Sequence, residues 1–158
     1  MSIGLFVDLH NLYFTTEKTF PGRAILYKSY LERLGGDVKR KIAYGTFIDK
    51  ELTSFIAALK HLGFDTRLQQ LRIMSSGRAQ PFDWAAGITL DVIQIVEKRQ
   101  LETVVFGSSS LSLLPVIEYV KSQGTRVAIM SCGVPRELRS SVDEVIEITE
   151  DLTYEKPK

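Results

Sequence analysis

Cysteine is nearly absent: Cys132 is the only one in 158 residues. No internal disulfide can form, which fits a reducing compartment. Histidine is scarce as well, with only His10 and His61. One cysteine and two histidines cannot complete the four-ligand set of a structural zinc site. An excess of either charge is missing, since 20 Lys and Arg face 19 Asp and Glu and leave a formal net charge of +1. No global field draws this chain to nucleic acid or to a membrane, so any binding surface has to be local. No apolar run nears the ~20 residues of a membrane span. The opening MSIGLFVDLHN has no basic leader region, and its apolar run stops at Asp8. These absences predict a cytoplasmic protein with no membrane partner.

What is present is ordinary for a globular chain: 44% hydrophobic and 25% charged residues. Disorder and collagen-like structure are excluded by that balance. The length predicts one domain, large enough to bury a core without staples. Its expected limits are residues 1–153, followed by a charged, frayed tail at 154–158. Glycine and proline are scattered, so no linker, repeat or low-complexity segment stands out.

Short apolar runs alternate with helical patterns. Strands are expected at Ile3–Val7, Lys41–Ile48, Asp65–Leu71, Thr103–Phe106, Arg126–Met130 and Val145–Ile148. Helices are expected at Ala24–Leu34, Thr53–Leu62, Trp84–Arg99, Leu111–Gln123 and Arg136–Ser141. Several stop at glycine: Gly35-Gly36, Gly63 and Gly124. The alternation predicts an α/β fold, a single-domain three-layer α/β/α sandwich with a mostly parallel sheet. The segment from Arg72 to Phe82 reads as a mobile loop.

In such sheets, ligands bind outside the carboxyl ends of the strands. Asp8, His10 and Asn11 follow the first strand, and Gly107, Ser108, Ser109 and Ser110 follow TVVF. Asp8 is either a turn or cap residue or an oxygen ligand for a hard cation such as Mg²⁺. Asn11 adds a polar side chain aimed at the same crevice. On the helix from Trp84, Asp91 shares a face with Ile88, Val92 and Ile95. A carboxylate on that stripe must be paired, hydrogen-bonded or metal-bound. The serines either cap the helix that follows or present free N–H groups and hydroxyls to an anion. No P-loop and no G-x-G-x-x-G fingerprint occurs, and no Ser-His-Asp or Cys-His set can be assembled.

Four segments together resemble a known family. FVDLHNLY (Phe6 to Tyr13) resembles the first motif of NYN domains, a branch of the PIN-like metal-dependent ribonucleases. DWAAGITLDVI (Asp83 to Ile93) is similar to that family's D-W-D-x-G-I-T-x-D helix. VVFGSSSLSLLPVIEYVKSQGTRVAI (Val104 to Ile129) is similar to its S-G-D-S-D-F-x-P-L segment. LRSSVDEVIEI (Leu138 to Ile148) resembles its closing L-x-x-x-A-D-x-F-x-x-L. Order and spacing agree over most of the chain.

The resemblance implies a PIN-like fold and an acidic cluster that holds Mg²⁺ or Mn²⁺ and activates water against a phosphodiester. By position, it implies catalytic roles for Asp8, Asp91 and Asp83, with Asp8 and Asp91 as metal ligands. Asn11 matches the family's Asn. Three acidic positions are replaced, by Ala85, Ser108 and Ser110, and Leu111 stands for the family's Phe. Serine hydroxyls are neutral and poor cation ligands, so a two-metal site is not expected. RNA or anion contact falls to Asn11, Ser108, Ser109 and Ser110, with Arg72 and Arg78 from the loop. Lys39, Arg40 and Lys41 precede a strand and belong to the opposite sheet edge.

Three functions follow. The first is a domain that keeps the fold to bind RNA or a protein partner, with phosphodiester hydrolysis lost or weakened and no cofactor needed. The second is an active Mg²⁺- or Mn²⁺-dependent endoribonuclease using Asp8 and Asp91. The third is a flavodoxin-like domain for a small phosphorylated ligand.

Overall fold

The computed structural model describes residues 2–47, 53–70, 75–77, 83–98 and 101–158. Six strands form the main sheet: β1 (Ser2–Asp8), β3 (Asp37–Phe47), β4 (Asp65–Gln70), β5 (Thr103–Gly107), β6 (Arg126–Ser131) and β7 (Glu144–Glu147). Their order is β4-β3-β1-β5-β6-β7, and every neighbouring pair is parallel. Helices α1 (Leu9–Thr19), α2 (Tyr27–Leu34), α3 (Thr53–His61), α4 (Ala85–Glu97), α5 (Leu114–Ser122) and α6 (Arg136–Ser141) cover its faces. This is the expected three-layer arrangement.

The strands alternate as a doubly covered sheet demands. On β1, Ile3, Leu5 and Val7 join a core with Leu12 of α1, Tyr27 and Tyr30 of α2 and Leu59 of α3. Phe6 points the other way, into a core with Ile88, Val92 and Ile95 of α4 and Val116, Ile117 and Val120 of α5. Residues 42–44, 104–106 and 127–130 repeat the same alternation. The first three helices therefore pack on one face and the last three on the other. The chain leaves β1 toward β3 and β4, then returns to the opposite side of β1 with β5. That reversal puts a topological switch point between the carboxyl ends of β1 and β5, where a crevice opens.

Three expectations need correction. The Ala24–Leu34 helix begins later. Arg23–Ile25 is a strand, β2, that pairs antiparallel with β8 (Thr153–Glu155), and α2 starts at Tyr27. The Arg23 guanidinium fixes that pairing, donating from Nε to Thr153 Oγ1 at 2.6 Å and from a terminal nitrogen to the Thr153 carbonyl at 3.0 Å. For the same reason the tail is not frayed: 153–155 is strand, and the Lys156 amide donates to the Gly22 carbonyl at 2.9 Å. Lys39, Arg40 and Lys41 lie inside β3 rather than before it, in its amino-terminal half and so still away from the crevice.

Helix α1 was not foreseen. Its sequence, LHNLYFTTEKT, is rich in aromatic and β-branched residues of modest helix propensity. A cap and burial of Leu12 and Thr16 hold it in place. No helix among the described residues is long and apolar enough to cross a membrane.

Candidate functional site

Asp8 is the last residue of β1 and the N-cap of α1. Its carboxylate accepts from the Asn11 amide at 3.0 Å, satisfying one of the free N–H groups of the helix start. Burial pushes its pKa above the ordinary 3.8. The Asn11 amide and the charge of His10 pull the other way, and the Asp83 carboxylate, within electrostatic reach, raises it further. Asp83 sits just ahead of α4 and accepts from the Ala85 amide at 2.9 Å.

Across the switch point, β5 ends at Gly107, which the serine turn follows. An added Cβ at Gly107 would lie 2.7 Å from the Tyr30 hydroxyl and 2.9 Å from Val7 Cγ2. Only glycine lets the two strand tips approach this closely. Asn11 then bridges the crevice: its Oδ1 accepts from the Ser109 amide at 2.9 Å and from the Ser109 hydroxyl at 3.3 Å. Ser108 is buried, and its Oγ accepts from the Ser110 amide at 3.2 Å. Ser110 caps the short 3-10 turn at Leu111–Leu113 by accepting from the Ser112 amide at 3.2 Å.

Three of the N–H groups expected to be free at the serine turn are already engaged. The amides of Ser109, Ser110 and Ser112 all donate within the turn or to Asn11. Anion-binding capacity at this point falls to the hydroxyl hydrogens of Ser108 and Ser110, which their amide bonds leave available.

Asp91 is half-buried on α4, at the rim of the apolar stripe formed by Ile88, Val92 and Ile95. Its Oδ2 accepts from the Tyr44 hydroxyl at 2.7 Å, and the Arg67 Nε lies 3.6 Å away. Of the three fates open to a carboxylate on that stripe, Asp91 has a hydrogen bond and an ion pair. Arg72 and Arg78 lie outside the described residues, as does most of the 72–82 loop.

A Mg²⁺ or Mn²⁺ ion in such a cluster needs several oxygens, most of them charged. The Asp83 charge bears on Asp8, but the Asn11 oxygen is spent on Ser109 and one Asp91 oxygen on Tyr44 and Arg67. Among the described residues, no three His, Cys, Asp or Glu side chains gather as a metal-holding group. The donors present do not fit a two-metal centre.

A model of the NYN domain matches residues 2–149. The chain belongs to the NYN domain family. This nuclease-like family is typically ribonucleolytic and usually metal-dependent. A crystal structure of a protein of unknown function from Vibrio parahaemolyticus, VPA0982, has the same fold as this NYN chain. The two superpose with a TM-score of 0.84 at 22% identity, over 97% of this chain and 96% of that one. No curated protein matches the chain.

Beside the site lies a cavity of about 330 Å³ that the sequence did not announce. Rings from distant segments line it: His10 and Tyr13 of α1, Tyr27 of α2, Phe55 of α3 and Tyr154 of β8. Lys156 closes the rim. Its ammonium pairs with Glu17 at 2.6 Å, donates to the Tyr13 hydroxyl at 3.1 Å and lies 4.6 Å from the centre of the Tyr13 ring. Only the aromatic run in LHNLYF hinted at this surface; the contribution of β8 depends on long-range pairing.

Proposed function

We propose that this NYN domain binds RNA at the crevice between β1 and β5 and has lost metal-dependent phosphodiester hydrolysis. One observation supports this most: Asn11 ties its oxygen to Ser109, inside a serine turn that stands where the family resemblance places carboxylates. That linkage locks the two strand tips together by neutral hydrogen bonds. With Ala85, Ser108 and Ser110 in place of acids, much of the negative charge that would repel phosphate is gone. The remaining hydroxyls suit a phosphate oxygen, weakly.

A second reading retains cleavage. It draws on the Asp83 charge that acts on Asp8; these two carboxylates, with Asp91, stand at the family's acidic positions and would hold one Mg²⁺ whose shell water and substrate phosphate complete.

Fluorescence anisotropy with a labelled single-stranded RNA and the full chain tests the binding claim. RNA is expected to bind in the absence of divalent cations, more weakly as salt rises. A Ser109→Pro variant, which lacks the amide donated to Asn11, is expected to bind less tightly while circular dichroism shows a folded chain. No binding by the native chain at low salt would overturn the proposal.

A further inference from the structure

The cavity beside the crevice has features that the strand-tip site does not use. Its volume, about 330 Å³, is at the low end of the ~300–1,000 Å³ typical of small-molecule sites. Its walls combine the rings of Tyr13, Tyr27, Phe55 and Tyr154 with aliphatic Leu9, Ile25, Ile56 and Leu68, and the His10 imidazole and the Lys156 ammonium add polar groups. The ring surface continues outside. Tyr13, Phe14 and Tyr154 are large exposed hydrophobics, with Phe14 54% exposed. Phe14 packs on His10 with ring centres 4.5 Å apart and meets Tyr13 edge-on at 5.5 Å.

Exposed rings cost free energy in water unless something covers them. The cavity adjoins the β1 side of the crevice: Leu9 and His10, the two residues after Asp8, line it. A ligand that fits this lining is flat enough to stack on the rings and polar where it meets His10 and Lys156. A membrane-inserting chain has no polar edge to satisfy the rim.

We infer that the cavity takes an unpaired nucleobase of single-stranded RNA, with a neighbouring base stacking on the ring surface of α1. This inference rests on the RNA-binding reading and adds which part of the RNA is recognised. Bases splayed from a single strand stack on Phe, Tyr and His rings, whereas a duplex keeps them paired and unavailable. The Lys156 ammonium, paired with Glu17 and held over the Tyr13 ring, adds a fixed polar donor at this rim.

The test compares three probes on the full chain: a single-stranded RNA hexamer, a base-free ribose-phosphate hexamer of the same charge, and a blunt RNA duplex. The base-free hexamer and the duplex are each expected to bind about tenfold more weakly than the single strand. Ile56, half-buried on the cavity wall, offers a filling variant. I56W is expected to reduce the difference between single strand and base-free hexamer to less than threefold. Tyr154→Ala, at an exposed position, gives the same trend if the filling variant fails to fold. Equal binding of the RNA and base-free hexamers overturns this inference and leaves the RNA-binding reading standing. No binding of any probe overturns both. Self-association of the chain that Phe14→Ala abolishes, with RNA affinity unchanged, would assign the ring surface to a second copy and overturn the inference.

Discussion

The Tyr44 hydroxyl donates to the Asp91 carboxylate across 2.7 Å, from β3 to α4. Burial, and then the bond to Asp91, push the Tyr44 phenol far above its ordinary range, so it remains a donor at any accessible pH. Arg67, on β4, places its Nε 3.6 Å from the same oxygen. This bond ties the helix that carries the acidic motif to the sheet. Tyr44→Phe is expected to destabilise the chain by about 1–2 kcal/mol in urea unfolding, because Asp91 loses its donor. Arg67→Ala is expected to cost under about 1 kcal/mol, since its side chain is 44% exposed and the pair is screened by water.

Gly107 gives a steric prediction. Alanine there would place a methyl within 3 Å of both the Tyr30 hydroxyl and Val7 Cγ2. Tyr30 cannot easily move, because its hydroxyl donates to the Met130 carbonyl at 2.8 Å. Gly107→Ala is expected to cost about 1–3 kcal/mol, read as a lower urea midpoint. Loosening should be greatest at the serine turn, as faster exchange of the Ser109 amide.

Asp8 makes stability depend on pH with a definite sign. Its pKa is raised on folding, chiefly by burial, so between 3.8 and the raised value the native state binds more protons than the unfolded chain. The contribution of Asp8 is fully present below 3.8 and is lost as pH climbs through the folded value. Asp8→Asn keeps an acceptor for the Asn11 amide and removes the charge. It is therefore expected to melt higher relative to the native chain at pH 7 than at pH 4. Asp8→Ala loses the cap and is expected to cost about 1 kcal/mol. Melting curves at the two pH values check both.

Restoring acids at the replaced positions should rebuild a cation site. The triple variant Ala85→Asp, Ser108→Asp and Ser110→Asp is expected to be less stable than the native chain in chelator. Its melting temperature should rise with added Mn²⁺, because a cation bound only by the folded state stabilises it. An unchanged melting temperature in millimolar Mn²⁺ would mean that these positions do not converge.

Much of this arrangement was legible in the sequence because it rests on local patterns. Apolar runs marked the sheet strands, least clearly the polar Asp65–Gln70, and strand-helix alternation predicted a mostly parallel sheet. The position of Asp8 and of the serines after their strands placed them at one edge, where Asn11 and Ser109 meet. What escaped depends on distant partners. Ala24 and Ile25 read as the start of a helix until Thr153–Glu155 pairs with Arg23–Ile25. Helix α1 has weak propensity and is held by the Asp8 cap and by burial. Periodicity placed Asp91 on an inward stripe but could not say that Tyr44 and Arg67 receive it. The cavity combines rings from four helices and strands, a convergence that no local window contains.

Cleavage in Mn²⁺ is the most direct test of the central claim. A labelled single-stranded RNA, incubated with excess full chain and millimolar Mn²⁺ and run on a denaturing gel, is expected to remain full length while a parallel anisotropy measurement shows it bound. Time-dependent fragments that disappear with Asp8→Ala would contradict the account, and would show that Asp8 serves a working cation site.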